Sequence, residues 1–179
     1  KNPFNGGYTI SAGLDETINY IQNFHFGKKE IDYLRSLGKF NEEFLNYLST
    51  LTFKGDIYAV PDGTVVFPNE PVLTVKADAV TAQIMETALL ANFNHGALVT
   101  TAAKRIVKEA KDKPVMEFGA RRGRGIESAV EASKCAYIGG CVGTSNTYAG
   151  MEYGIPVMGT MAHSLVTESE DEYEAFLKY

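Results

Sequence analysis

From Pro114 to its last residue the sequence alternates short apolar runs with stretches of helical periodicity, and this rhythm restricts the fold more than any other feature. Pro114 to Phe118, Tyr137 to Val142 and Ile155 to Met158 read as strands. Between and after them, Ile126 to Ala136, Asn146 to Tyr153 and Ser169 to Lys178 read as helices, the second ended by Gly154. Alternation of this kind implies right-handed crossovers and a parallel sheet, so the expected class is α/β. Three β/α units cannot close a barrel, which takes about 250 residues for eight. Either this is a small open sheet or the chain stops inside a larger barrel; the expectation is the latter, the start of an α/β barrel that is incomplete in this chain.

Before Pro114 the texture differs, which divides the chain into residues 1–113 and 114–179. The first part reads as α+β. Leu14 to Phe24 has helical spacing after a break at Gly13. Ile31, Leu34 and Leu37 sit three apart and stop at Gly38, a helix C-cap signal. Asn41 can N-cap a third helix with Phe44, Leu45 and Leu48 as its inward stripe. Asp56 to Val60, Thr64 to Phe67 and Val72 to Lys76 read as strands, separated by Pro61-Asp62-Gly63 and Pro68-Asn69-Glu70-Pro71. A long helix from about Val80 to Lys111 follows, with an expected loosening near Asn92 to Gly96. At the start, Lys1 is not an initiator Met, and Phe4 to Ile10 reads as a strand entered partway. A missing N-terminal segment is expected.

Composition excludes several classes. With 10 Phe and 10 Tyr in 179 residues and 45% apolar content, the chain has too much buriable surface for disorder to be its main state. Seventeen basic against 22 acidic residues, a net charge of −5, oppose non-specific binding to nucleic acid or to an anionic membrane surface. No run approaches the roughly 20 apolar residues of a bilayer span. Cys135 and Cys141 match no common zinc spacing and make no disulfide framework; they read as small buried residues of a reducing, cytoplasmic compartment.

Against this acidic background the three strand ends stand out. In parallel α/β folds chemistry gathers at the C-terminal ends of the strands. Here those ends read Glu117-Phe118-Gly119-Ala120-Arg121-Arg122-Gly123-Arg124-Gly125, Gly139-Gly140-Cys141-Val142-Gly143-Thr144-Ser145-Asn146 and Gly159-Thr160-Met161-Ala162-His163-Ser164. Arginine forks match the paired oxygens of a carboxylate or phosphate. Glycines allow close backbone approach to a ligand, and Thr144 or Ser145 can N-cap the following helix. If the first strand persists, alternation puts Glu117, Gly119 and Arg121 on one face. The combination points to a small anionic substrate. Of the three histidines, His25 and His95 read as packing residues, while His163, beside hydroxyls after a strand end, is the candidate for chemistry. The acidic run Glu168, Glu170, Asp171, Glu172, Glu174 reads as a solvated face; no metal site is expected among these residues.

The loops Glu117-Phe118-Gly119-x-Arg121-Arg122, Tyr137-Ile138-Gly139-Gly140, Thr144-Ser145-Asn146 and Gly159-Thr160-Met161-Ala162-His163-Ser164 resemble the nicotinate phosphoribosyltransferase family in order and spacing. Lys1-Asn2-Pro3-Phe4-Asn5-Gly6-Gly7-Tyr8 and Val66-Phe67-Pro68-Asn69-Glu70-Pro71 extend the resemblance over essentially the whole chain. It implies a type II phosphoribosyltransferase architecture, an N-terminal α/β domain followed by an irregular α/β barrel. It also implies a reaction: nicotinate and phosphoribosyl pyrophosphate give nicotinate mononucleotide and pyrophosphate, in NAD biosynthesis. ATP hydrolysis is coupled through a transient phosphohistidine, Mg2+ attends the phosphates, and dimers share sites. On this sequence the phosphorylated His falls on His163 and the nicotinate-binding Arg on Arg121 or Arg122, the strand-face argument favouring Arg121. Gly159, Thr160 and Ser164 line the same site by the same match. The ring-sandwiching Tyr segment and the later barrel strands of the family have no counterpart in these residues, so this piece alone is expected to be inactive. Arg124-Gly125-Ile126-Glu127 also departs from the Gln-Gly-Pro-Asp often found after the double Arg. The alternatives are a phosphoribosyltransferase for nicotinamide and a non-catalytic nucleotide-binding fragment.

Overall fold

The computed structural model describes residues 5–179. Phe4, and with it the start of the strand expected from Phe4 to Ile10, lies outside the described residues; the strand present is β1, Thr9–Ile10. Helix α1, Leu14–Gln22, begins where Gly13 takes a left-handed conformation, φ 104°. The Asp62 carboxylate accepts the Leu14 N–H at 3.2 Å, so the Pro61-Asp62-Gly63 turn caps this helix from a distance. Helices α2, Lys28–Ser36, and α3, Glu42–Thr50, form a hairpin closed by Gly38 at φ 63° and by Asn41, whose side chain accepts the Phe44 N–H at 2.8 Å. Ile31, Leu45, Leu48 and Leu51 form its core, with Phe24, Phe26, Leu34, Phe44 and Ile84 packed against them.

The expected strands are present with shifted ends: β2, Gly55–Ala59; β3, Val65–Val66; and β4, Leu73–Ala77. They do not pair in sequence order. β2 runs antiparallel to β4, and β3 runs antiparallel to β1, with Thr9 opposite Val66. The turn after β2 explains the switch. Gly63 donates its N–H to the Ser11 carbonyl, and Ser11 donates to the Thr64 carbonyl, which draws the chain across to β1.

Helix α4, Ala79–Ala110, runs 32 residues without the expected loosening at Asn92 to Gly96. Asp78 caps it by accepting the Val80 and Thr81 N–H groups. The glycine serves a crossing rather than a break. A Cβ at Gly96 would sit 2.5 Å from the Ala12 carbonyl oxygen, so the segment between β1 and α1 lies directly against the helix backbone. Ile10 adds an N–H to the Thr101 hydroxyl at 2.9 Å. One face of α4 buries Met85 and Leu89 with Ile21 of α1, beneath Phe53, which precedes β2, and Ile57, Leu73 and Val75 of the β2–β4 ladder.

Beyond Pro114 the strands are shorter than expected. β5 is Met116–Glu117, and it gives way to a single 3-10 turn at Ala120–Arg122. Helix α5, Ile126–Ile138, continues through residues expected to begin a strand. Tyr137 and Ile138 complete its last turn; Gly139 ends it and Gly140, at φ 106°, reverses the chain, so the strand β6 is only Gly143–Thr144. The apolar run was therefore helix end plus turn, a period too short to distinguish from a buried strand. β6 pairs parallel with β5. Ile155 to Met158 contributes a parallel bridge, Thr144 opposite Val157, rather than a full strand. Helix α6, Thr147–Tyr153, ends at left-handed Gly154 as expected, but its N-cap is Asn146, whose side chain accepts the Ala149 N–H at 3.2 Å, and not Thr144 or Ser145. The last helix does not start at Ser169. Two helices occupy this stretch, α7 at His163–Glu168 and α8 at Glu172–Lys178, the latter capped by Asp171. The α/β class holds, with parallel pairing in the second part.

Candidate functional site

Glu117, Thr144 and Val157 lie side by side in three parallel segments. Thr144 donates its N–H to the Pro156 carbonyl, and Met158 donates to the Thr144 carbonyl, both at 3.0 Å. All three segments run in the same direction, so the loops after residues 117, 144 and 158 leave from one edge of the sheet. That edge receives the arginine turn, the Ser145-Asn146 corner and the Gly159-Thr160 loop that leads into His163 and Ser164. The topology thus brings together the segments that carry every candidate site residue.

Side chains at this edge are placed by a polar network centred on Glu117. One carboxylate oxygen accepts the Gly119 N–H. The other accepts the Thr144 hydroxyl at 2.6 Å and the Ser133 hydroxyl at 2.8 Å. Thr144 and Ser133 are fully buried. The Thr144 hydroxyl also accepts the Asn146 N–H at 3.0 Å, and the Glu117 carbonyl accepts the Ser145 N–H at 3.0 Å. Sequence reading did not single out Ser133, whose nearest clue is its place on the inward face of a helix.

The arginines are displaced from their expected geometry. β5 stops at Glu117, so strand alternation does not reach Arg121, and the face argument that favoured it over Arg122 fails. Both stand on the 3-10 turn, where successive side chains point about 120° apart. Arg122 and Arg124 line a cleft of about 420 Å³ with Glu117, Gly119, His95 and Ser128, while Arg121 stands outside it. His163 is not in a loop but is the first residue of α7, and it is exposed, as are Gly159, Thr160 and Ser164.

A second charged group joins α1, α4 and α5. Lys134 donates to Asp15 at 2.8 Å and to Glu16 at 3.0 Å. Burial works against its ammonium, yet these two carboxylates hold its pKa above the ordinary lysine value. Burial also raises the Glu131 carboxyl; His95 stands 3.8 Å from it and 3.5 Å from the Ser128 hydroxyl. Burial, reinforced by the charge of Glu131, pushes the Cys135 thiol up to about 12, which suits a packing residue and not a nucleophile. Both cysteines are free and buried. No group of three or more His, Cys, Asp or Glu side chains able to hold a metal ion occurs among the described residues. Nor is any described helix long and apolar enough to cross a membrane.

Fold and site together define an α/β protein with its polar loops at one end of a parallel sheet. Residues 1–94 match the family model of the nicotinate phosphoribosyltransferase (NAPRTase) N-terminal domain. The nicotinate phosphoribosyltransferase of Bacillus subtilis is 43% identical over 177 residues, which cover 99% of this chain and 36% of that protein. The crystal structure of human nicotinic acid phosphoribosyltransferase superposes with a TM-score of 0.86 at 32% identity, over 94% of this chain and 34% of the human one. That of nicotinate-nucleotide pyrophosphorylase from Pyrococcus furiosus superposes with a TM-score of 0.76 at 29% identity, over 97% of this chain and 37% of its own. The chain belongs to the nicotinate phosphoribosyltransferase family and spans about a third of the length of the relatives it matches.

Proposed function

We propose that the whole protein carrying this chain joins nicotinate to phosphoribosyl pyrophosphate, giving nicotinate mononucleotide and pyrophosphate in NAD biosynthesis. The observation that carries this reading is that the arginine turn with Arg121 and Arg122, the Ser145-Asn146 corner, and the loop with Gly159 and Thr160 that leads into His163 and Ser164 all leave one edge of a parallel sheet in a member of this family.

In the proposed site a guanidinium of the arginine turn grips the nicotinate carboxylate with two parallel hydrogen bonds, which also selects against the amide. As the glycosidic bond of phosphoribosyl pyrophosphate breaks, positive charge grows on the ribose and negative charge on the departing pyrophosphate. Arginines and backbone N–H groups held in place before the reaction stabilise that charge. His163 attacks the γ-phosphorus of ATP through a ring nitrogen, ADP leaves, and later hydrolysis of the phosphohistidine restores the imidazole. Gly159, Thr160 and Ser164 line the phosphate side of the same cup. Mg2+ would enter with the phosphates of the substrates and neutralise part of their charge. We place the protein in the cytoplasm as a homodimer, the first consistent with its free buried cysteines and the second resting on the family resemblance alone.

Product formation by the whole protein tests the reading. Nicotinate mononucleotide is expected from nicotinate. Arg121→Ala or Arg122→Ala, whichever removes the carboxylate grip, is expected to raise the KM for nicotinate roughly 10- to 100-fold, as lost charged hydrogen bonds do. Equal use of nicotinamide, with both variants unchanged, would favour the nicotinamide enzyme. Absence of turnover would favour a nucleotide-binding protein without catalysis.

A further inference from the structure

We propose that Glu117 is the positioning residue of this site, fixing the arginine turn against the second strand end so that recognition of the substrate carboxylate depends on it. The inference rests on the reading above for its substrate, but not for its geometry. Gly119 is bonded through both its backbone groups. Its N–H is held by the Glu117 side chain, and its carbonyl accepts the Arg122 N–H at 2.8 Å, the bond that closes the 3-10 turn. The opposite carboxylate oxygen is anchored by Thr144 and Ser133, both fully buried on rigid elements. One side chain therefore ties a two-arginine loop to the sheet and to α5.

The side-chain tie to the sheet adds to the backbone bond from the Gly123 N–H to the Ala120 carbonyl at 3.1 Å. Arg121, Arg122, Gly123, Arg124 and Gly125 are all exposed; past the arginines Gly123 lies against Ala129 of α5, so the stretch before them is where the Glu117 carboxylate supplies the tie. Without the carboxylate, the Gly119 N–H turns to water while Ser133 keeps its second acceptor, the Ala129 carbonyl at 3.0 Å. Loss of Glu117 thus relaxes the turn without stranding Ser133. Glutamine at 117 keeps the volume but offers one acceptor oxygen where three donors converge, so it cannot serve both Gly119 and Thr144.

The test uses the whole protein with Glu117→Gln, Thr144→Val and Thr144→Ser. Expected for Glu117→Gln is a KM for nicotinate raised about tenfold, the worth of one charge-assisted hydrogen bond, with the KM for phosphoribosyl pyrophosphate unchanged. Thr144→Val should reproduce this shift, Thr144→Ser should restore the parent value, and the double variant Glu117→Gln/Thr144→Val should be no worse than either single change. Amide hydrogen exchange over residues 119–122 should accelerate in Glu117→Gln while α4 keeps its protection. Unchanged exchange in this turn, or additive KM effects, overturns the proposal. Should the parent protein make no nicotinate mononucleotide, the reaction reading fails by itself, and the exchange measurement still decides the role of Glu117. If Glu117→Gln does not fold, Thr144→Val against Thr144→Ser carries the same comparison.

Discussion

The regions on either side of Pro114 are held together by different means. Before it, large side chains do the work: Ile31, Leu45, Leu48 and Leu51 in one cluster, Ile21, Met85 and Leu89 in another, with aromatic rings packed around both. After it, the cluster among the described residues is built of small groups, Ala136 and Cys141 against Ala103 of α4. Ile126 and Met151 remain 85% and 72% exposed. The hydrogen-bonded network of Glu117, Thr144 and Ser133 ties the first two strand ends to α5, and backbone bonds of Thr144 to Pro156 and Met158 hold the third. Apolar packing is tolerant of small shifts but non-directional, whereas a saturated polar network specifies one geometry. The first region is held by apolar packing; the second is held at its strand ends by directed hydrogen bonds.

That contrast can be broken by substitutions in the first region. The largest effect is expected for Leu45→Ala. Leu45 is fully buried, so its truncation should lower stability by about 3 kcal/mol through lost transfer energy and a cavity, measured by denaturant unfolding. The folded fraction should keep the parent KM for nicotinate; a shifted KM would mean that the first region and the site are not separable. A smaller effect is expected for Gly96→Ala. Its Cβ would press on the Ala12 backbone, and overpacking of this kind costs about 1–3 kcal/mol. The same measurement checks it, and an unchanged midpoint would show that the crossing between α4 and the segment before α1 is looser than described.

Local signals were legible in the sequence and long-range ones were not. Asn41, Gly38, Gly13 and Gly154 mark helix ends through their own backbone or side chain, and each does so in the structure. The pairing of β3 with β1 depends on a turn reaching back to Ser11, some 50 residues away in the chain, and no short window contains it. Likewise the Asn92 to Gly96 stretch looks like a weak point of α4 until the segment crossing it is known. At the site, the residue types and the common edge were readable from the strand–helix rhythm. The place of Arg121 was not, because it hangs on where β5 stops, and β5 stops where the Glu117 carboxylate turns back to hold Gly119. Element ends set by tertiary hydrogen bonds escape reasoning from periodicity.

The central claim is that the loops of the second region carry the chemistry, and phosphoryl transfer from ATP reads it most directly. The whole protein, incubated with ATP labelled at the γ-phosphate, is expected to take up an acid-labile label on His163. Leu45→Ala should retain that label in its folded fraction, and His163→Ala should lose it without loss of stability. A folded protein that makes nicotinate mononucleotide yet carries no label on His163, or carries it on another residue, would contradict the account.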